Sequence, residues 1–541
     1  MTATVDDSSS LESDVADESD IKEDTSIDDE DERMWAALSF VVILIIIGLP
    51  LWWKMTEVER SYFPYDEISN LKYENVTFPF TVCLSTIHPN LGIQMQNSLR
   101  KLFSQSNLFT VNFQLLSSPS EVQNKSIHDL EDIEKLHVDK PNFLLLLEAS
   151  FSSNNNVIIG RHRTAYFKRE TLPTEIYDFL QEVVLHEKIL IESIRAVTHP
   201  GYTSENLDFL RKMRPHPKYD IIFTVVNPEP ESIKFDWNSA IILEQFFRPL
   251  LNQLHLLSEF RIKSQWLYFV NLQQIPRKVD DHFVLHHKQV PHIITPLEKK
   301  IGSGVAKNPC INFVLYVTKC EHSPMVFVDH RNKPTSAVLS ARWGAVQLIN
   351  PNSSHCVEHQ PLKINPNKVM KVFLSQFKTL LGLSDFSFNT NVIPSKFGKQ
   401  ILPWEMDGLY RMRILEQFIS SRITLTSLSQ LLGEISNIVI TNEVGNAVLE
   451  AVITAKKTLK SLQDGLLVDA LNFSTKSFIH SEFAFTHPSL LALLYFPDDQ
   501  KYAVYIPLYL PVMIPVLLSL KNIYNWLKRK YRGKESKKKE E

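Results

Sequence analysis

No charged residue occurs from Met34 to Trp53, or from Tyr502 to Leu520. Each run is close to the ~20 residues that a helix needs to cross ~30 Å of hydrocarbon. Such a run limits the choice of fold severely. Lipid offers the backbone no hydrogen-bond partner, so the segment must satisfy its own amides as a helix. Trp35, Trp52 and Trp53 frame the first run, and Tyr502, Tyr505 and the nearby Trp526 frame the second. Amphipathic rings favour the headgroup layer. The first run is too long and too bulky for a cleaved signal peptide, and the region before it is acidic. A buried core helix is the other reading of the second run, and the basic cluster after it argues for a membrane. Within that run Pro507, Pro511 and Pro515 recur every fourth residue. Proline inside a soluble helix costs ~3 kcal/mol, whereas neighbouring membrane helices can re-satisfy the freed groups. A spacing of four sets all three on one face. That kinked, grooved face is expected to pack on another membrane helix.

The ends differ in sign. Residues 1–33 hold 14 Asp/Glu, and residues 521–541 hold 9 Lys/Arg against 3 Glu. Both read as solvated tails. The basic stretch from Lys528 to Lys539 predicts a cytosolic C-terminus, and two spans then place the N-terminus on the same side. Residues 54–501 are expected in the lumen of a secretory compartment. All four Asn-x-Ser/Thr sequons, at Asn75, Asn124, Asn352 and Asn472, lie between the runs. Such triplets carry glycans only in that compartment. Cys83, Cys310, Cys320 and Cys356 lie there too. Four cysteines in so large a body are not a disulfide scaffold. Cys310–Cys320 is the easiest bridge to expect, and free buried thiols are an equal alternative. The chain ends in KKKEE, with Lys538 and Lys539 fourth and third from the end. This resembles the cytosolic dilysine address that returns membrane proteins to the endoplasmic reticulum; an ordinary basic tail is the plain reading. A net charge of only −4 gives no nucleic-acid footprint.

Between the runs, NVTFPFTVCLS, NFLLLLEASF, YDIIFTVVNP, SQWLYFVNLQ and CINFVLYVTK carry strand patterns. LPTEIYDFLQEVVLHEKILIESIRAV, with Thr174 as its cap, and NSAIILEQFFRPLLNQL read as helices between them. Strands alternating with helices predict an α/β or α+β body. Beyond about residue 400 the patterns are almost all helical, and no internal repeat is visible. The expected architecture is a membrane protein with two transmembrane helices and a large lumenal mixed α/β (α+β) domain with a helical C-terminal portion. Its segments are an acidic tail 1–33, a first span 34–53, the α/β domain 54–400, a helical region 401–501, a second span 502–520 and a basic tail 521–541.

Catalytic patterns are weak. Cys83 with His88, or Cys356 with His355 and His359, supplies the residues of a thiol nucleophile and its base, but without any family signature around them. His282, His286, His287 and His292 cluster, yet in strand-like sequence and without the carboxylate of a catalytic zinc motif. No Gly-rich phosphate loop or nucleophile elbow occurs. Asp280–Asp281 and Asp498–Asp499 read as solvated turns. No catalytic, cofactor-binding or metal residue is expected. A large body without a site suggests binding or scaffolding.

Several segments carry a family likeness. They include LPLWWKMTEVERSYFPYDEI from Leu49, YDIIFTVVNPEPESIKFDWN from Tyr219, PHIITPLEKKIGS from Pro291 and NFVLYV from Asn312. ARWGAVQLIN from Ala341, TLTSLSQLLGEISNIVI from Thr424 and PSLLALLYFPDDQKYAVYIPLYLPVMIPVLLSL from Pro488 complete the set. In this order they resemble the phosphatidylinositol-glycan biosynthesis class S family, the class S subunit of the GPI transamidase. The resemblance implies an endoplasmic reticulum complex that exchanges a precursor protein's C-terminal signal for a preassembled GPI anchor. The cysteine nucleophile would sit on the caspase-like class K subunit. The class T and class U subunits and the anchor-attachment subunit would be the other partners, and this chain a non-catalytic scaffold without cofactor. A lumenal enzyme with an unrecognised site, or a cargo receptor for GPI-anchored proteins, are the alternatives.

Overall fold

A computed structural model describes the chain apart from residues 1–31, 49, 52–53, 55–59, 73–75, 118–124, 200–211, 236, 330–332, 359, 384–391, 394–399, 435–437, 492–497 and 541. Two compact units result. The larger holds Phe63–Gln430 and Asn446–Phe485, and the smaller holds Met1–Tyr62, Leu431–Gly445 and Thr486–Glu541.

The larger unit contains one sheet plan twice. The first sheet has β1 (Phe78–Thr86), β2 (Phe109–Ser117), β3 (Phe143–Glu148), β4 (Val157–Ile159) and β5 (Thr164–Phe167), in the order β2-β1-β3-β5-β4. Four strands are parallel, and β4 returns antiparallel on β5. The second sheet uses β6 (Lys218–Asn227), β7 (Glu259–Tyr268), β10 (Cys310–Val317), β13 (Ala337–Ser340) and β14 (Gly344–Ile349). Its order is β13-β14-β10-β6-β7, again with one antiparallel edge hairpin. Pairing β1 to β5 with β6, β7, β10, β13 and β14 makes the two orders and senses identical. The repeat that the sequence hides is therefore a repeat of topology. A third sheet, from β8 (Arg277–Val279), β9 (His282–His286), β11 (Met325–Val328) and β12 (Pro334–Thr335), is inserted into the second copy.

The central strands β3, β6 and β10 are buried almost throughout, as parallel strands covered on both faces must be. In the first copy, α1 (Pro89–Phe103) crosses from β1 to β2. α2 (Pro173–Phe179) and α3 (Glu187–Thr198) follow β5. The sequence predicts one helix here, but the chain runs through a π-turn, Leu180–Leu185, into His186 at φ 53°. Thr174 is not the cap. Leu172 holds that position, its amide donating to Glu175 Oε2 at 3.0 Å, and Pro173 takes the first helical turn.

In the second copy, α4 (Ser239–Phe246) and α5 (Arg248–Gln253) make the crossover, with Asn238 capping α4. α6 (Val290–Lys300) precedes β10, and α7 (Pro366–Leu381) follows β14. Phe223 and Phe313 of the sheet stack at 5.2 Å and meet Phe247 and Phe373 on one face. Ile222, Val314 and Tyr316 point to the other, packing with Ile293, Leu297 and Phe327.

The mixed α/β body with a helical C-terminal portion is thus present. α8 (Pro403–Glu434), α9 (Asn442–Gln463) and α10 (Leu467–Phe485) follow the sheets. Small side chains let these helices approach closely. Ser477 Oγ lies 2.8 Å from Ser421 Oγ and from the Ala451 carbonyl.

His186 is largely buried beside α8. Burial, and then the Arg411 guanidinium, push its imidazole down to about 4 from the ordinary 6.5. The unfolded chain therefore takes up this proton at a higher pH than the fold does. Stability is full above about pH 6.5 and falls as the pH drops from there to about 4, by about 3 kcal/mol if this group acts alone. Urea midpoints measured across that window are expected to fall less for His186→Gln than for the wild type.

In the smaller unit, α11 (Asp498–Glu540) contains Pro507, Pro511 and Pro515. Helical residues 32–43, continued by the π-turn Leu44–Gly48, pack on it. Val41, Val516 and Ile523 form the contact, and Trp35 meets Trp526 edge-on at 6.4 Å. Arg60 ties residue 60 to the unit by donating to the Leu432 and Ile438 carbonyls. Among the described residues, no helix is long and apolar enough to cross a membrane.

Candidate functional site

One end of each sheet copy carries a cluster of buried polar groups. In the first copy α8 packs against this end. Arg163, in the turn before β5, forms a two-pronged ion pair with Asp407, at 2.6 and 2.8 Å. Its remaining donor reaches the Val138 and Asp139 carbonyls at 3.1 Å. Trp404 Nε1 donates to the Gly160 carbonyl, and Arg411 donates to Asn142 Oδ1 and to the Val184 carbonyl. Arg411 also lies over the Phe80 and Phe109 rings. Burial lowers its guanidinium to about 10, opposed by the nearby Asp407 carboxylate. Lys212 and Glu416 pair nearby. A cavity of about 730 Å³ remains beside α8, where His137 and His162 stack 3.5 Å apart. Burial, then His137, depresses the His162 imidazole.

In the second copy the corresponding end is open. A cavity of about 630 Å³ is lined from α6, from the residues entering β10 and from the turn before β14. Asn312 is 2% exposed. Its Oδ1, Trp343 Nε1 and Ser303 Oγ are buried without a hydrogen-bond partner. The Asn312 amide is oriented by its Nδ2, which donates to the Trp343 carbonyl at 3.4 Å. Two cations, Lys307 and Arg342, border the cavity against one carboxylate, Glu298. The turn is strained: Arg342 has φ 61° and Gly344 φ 138°. Neither cavity was marked by any sequence motif. The signals present were the turn sequences GRHRT and ARWGA, whose meaning depends on the sheet order.

The residues singled out from sequence scatter. The expected Cys310–Cys320 bridge does not form; Cys320 pairs with Cys356, and Cys83 and Cys310 are free. β10 carries Cys310 into the sheet, whereas Cys320 opens a 3-10 turn after β10 and meets Cys356 in a short helix, Ser353–Val357, after β14. Removing the bridge frees a 36-residue separation in the unfolded chain and is expected to cost about 2–4 kcal/mol. Cys320→Ser with Cys356→Ser, followed by thermal unfolding, measures it. Cys356 is consequently not a nucleophile, and burial raises the Cys83 and Cys310 thiols. His282 and His286 end the short strand β9, and Asp280–Asp281 is a turn. Among the described residues no group of three potential metal ligands exists.

Asn352 and Asn472 are exposed. Asn75 and Asn124 lie outside the described residues, as does His359. Pro507, Pro511 and Pro515 are exposed, away from the Val516 and Ile523 face. Lys538 and Lys539 belong to the helical range of α11, and their side chains lie outside the described set.

The larger unit is thus a sheet plan used twice and braced by a long helix. The family model for phosphatidylinositol-glycan biosynthesis class S protein matches residues 39–530. The human protein named GPI-anchor transamidase component PIGS is 32% identical over 537 residues, covering 92% of this chain and 96% of its own. The fission yeast GPI transamidase component PIG-S homolog is 27% identical over 497 residues, covering 90% and 83%. The chain belongs to the phosphatidylinositol-glycan biosynthesis class S family.

Proposed function

We propose that the chain is a non-catalytic scaffold subunit of a GPI transamidase in the endoplasmic reticulum membrane. It works with the class K, T and U subunits and the anchor-attachment subunit on GPI-anchor precursor proteins. The observation that carries this reading is similarity along nearly the whole length to proteins named as components of that enzyme. The cysteine chemistry agrees with it: one potential nucleophile is locked in a disulfide, and the two free thiols are raised by burial. Cells lacking the chain are expected to lose GPI-anchored proteins from their surface. The full chain should restore them, and so should the Cys83→Ala, Cys310→Ala double variant. Failure of that stable double variant with the partner subunits still retained would assign a thiol to the chemistry.

Two membrane anchors, 34–53 and 502–520, hold residues 54–501 in the lumen and both tails in the cytosol. The mutual packing of residues 32–48 with α11 supports this pairing, as do the exposed apolar side chains from Phe40 to Ile47 and from Ile506 to Leu518. Apolar patches of that size ordinarily mark a partner or a membrane. The proline face of α11 is the surface offered to partner helices. Lys538 and Lys539 serve as the retrieval address. Asn352 and Asn472 present exposed amides for glycosylation, with Asn75 and Asn124 as further acceptors. Peptide N-glycosidase treatment should raise gel mobility for the wild type and less for an Asn352→Gln, Asn472→Gln variant. Equal shifts for both would place the glycans elsewhere.

A further inference from the structure

The two sheet copies can be aligned residue by residue through their main-chain bonds. β3 meets β5 with Leu145 opposite Thr164, and β10 meets β14 with Asn312 opposite Gly344. Leu145 N donates to the Arg163 carbonyl at 3.0 Å, and Asn312 N to the Trp343 carbonyl at 2.9 Å. Thr81 N donates to the Asn142 carbonyl, and Asp220 N to the Pro309 carbonyl. Trp343 therefore stands where Arg163 stands in the first copy, and Pro309 where Asn142 stands.

In the first copy both positions are gripped by α8, through Asp407 and Arg411. In the second copy the same corner is the open cavity, with Trp343 Nε1, Asn312 Oδ1 and Ser303 Oγ unpartnered. Buried polar groups are nearly always hydrogen-bonded, so three orphans around one cavity point to a missing partner. The duplicated plan tells what kind of partner: a helix.

The geometry points to a socket, built from Asn312, Ser303 and the turn Ala341–Trp343, that receives the amino-terminal turn of a helix from another transamidase subunit. A helix start brings free amide donors, which Asn312 Oδ1 lacks. Carboxylates are favoured in a first turn, and one there would accept from Trp343 Nε1 and face Lys307 and Arg342. The partner segment is thus an acidic helix start. The socket rests on the proposed subunit role.

The test uses the full chain and the complex recovered in gentle detergent. Cys310 lines the cavity and is only half-buried, so maleimide labelling of Cys310 reports access. Labelling is expected in the isolated chain and lost in the complex, with the fully buried Cys83 as reference. A photo-crosslinking phenylalanine analogue at position 342 should join a co-purifying subunit at a peptide with an acidic helix start. Arg342→Glu on the rim, and Trp343→Phe, which keeps the ring and removes the N–H, should each weaken retention of that subunit by about tenfold, the scale of a central contact. Equal Cys310 labelling in both states, or a crosslink only to residues 384–399 of this chain or to a second copy of it, overturns the socket. If the wild-type chain recovers no transamidase subunit, the subunit role falls with it. If it does and both variants retain the partner fully, the socket alone falls.

Discussion

Replacing Asp407 by alanine is expected to destabilise the larger unit by about 3–5 kcal/mol, the range for breaking a buried ion pair. The Asp407 side chain is 4% exposed and that of Arg163 10%. Without Asp407, the guanidinium keeps only the Val138 and Asp139 carbonyls, and its charge stays buried and uncompensated. The damage should spread along α8, because Trp404 and Arg411 depend on the same seat against the first sheet. Replacing both partners together tests the cause. Arg163→Met with Asp407→Leu removes two charges and no cavity opens, so the double variant should recover most of the loss. A stable Asp407→Ala, or a double variant worse than the single one by a similar amount, would contradict the assignment of this pair as the lock of α8. Chemical denaturation of the purified chain, read at the tryptophans, measures all three.

Sequence patterns announced five of the ten strands of the two sheets, β1, β3, β6, β7 and β10, and missed β2, β4, β5, β13 and β14; the central strands buried on two faces read as continuous apolar runs. NFLLLLE, YDIIFTVV and INFVLYV announce β3, β6 and β10. The repeat was not legible for the same reason. A covered strand asks only for apolar side chains, so β1 and β6 share a role and no wording. The corner positions that do carry meaning also differ, with Arg163 in one copy and Trp343 in the other. The break at His186 was hidden because LPTEIYDFLQEVVLHEKILIESIRAV keeps a helical apolar pattern through the π-turn. The Cys320–Cys356 pairing depends on a 3-10 turn and a short helix brought together by parallel β10 and β14, which no spacing reveals. α8 was legible as a helix, but not as a clamp. Buried Asp407 and Arg411 look like a solvated face until the sheet against them is known.

Replacing Gly344 by alanine is expected to cost more than about 4 kcal/mol, an exceptional value for a single methyl group. Two causes add. The residue sits at φ 138°, a region that side chains rarely adopt. Its added Cβ would also lie 1.8 Å from the Asn312 carbonyl oxygen, which is backbone and cannot rotate away. Relief requires β14 to move off β10, and that opens the register from Asn312–Gly344 to Val317–Ile349. The neighbouring Arg342→Ala provides the contrast, since it leaves the strands in place and should change stability by less than about 1 kcal/mol. Hydrogen exchange resolves the two by location. In Gly344→Ala, protection should fall in β10, β13 and β14 while β1 to β5 remain protected, because the first copy has its own core and its own lock. The same variant should lose partner retention at the second-copy corner, since Asn312 and Trp343 are held in place by the strand pairing that the methyl group breaks. Uniform loss of protection across both sheets would mean that the two copies fold as one cooperative block. Unchanged protection in β14 would mean that the chain accommodates the methyl group without moving that strand.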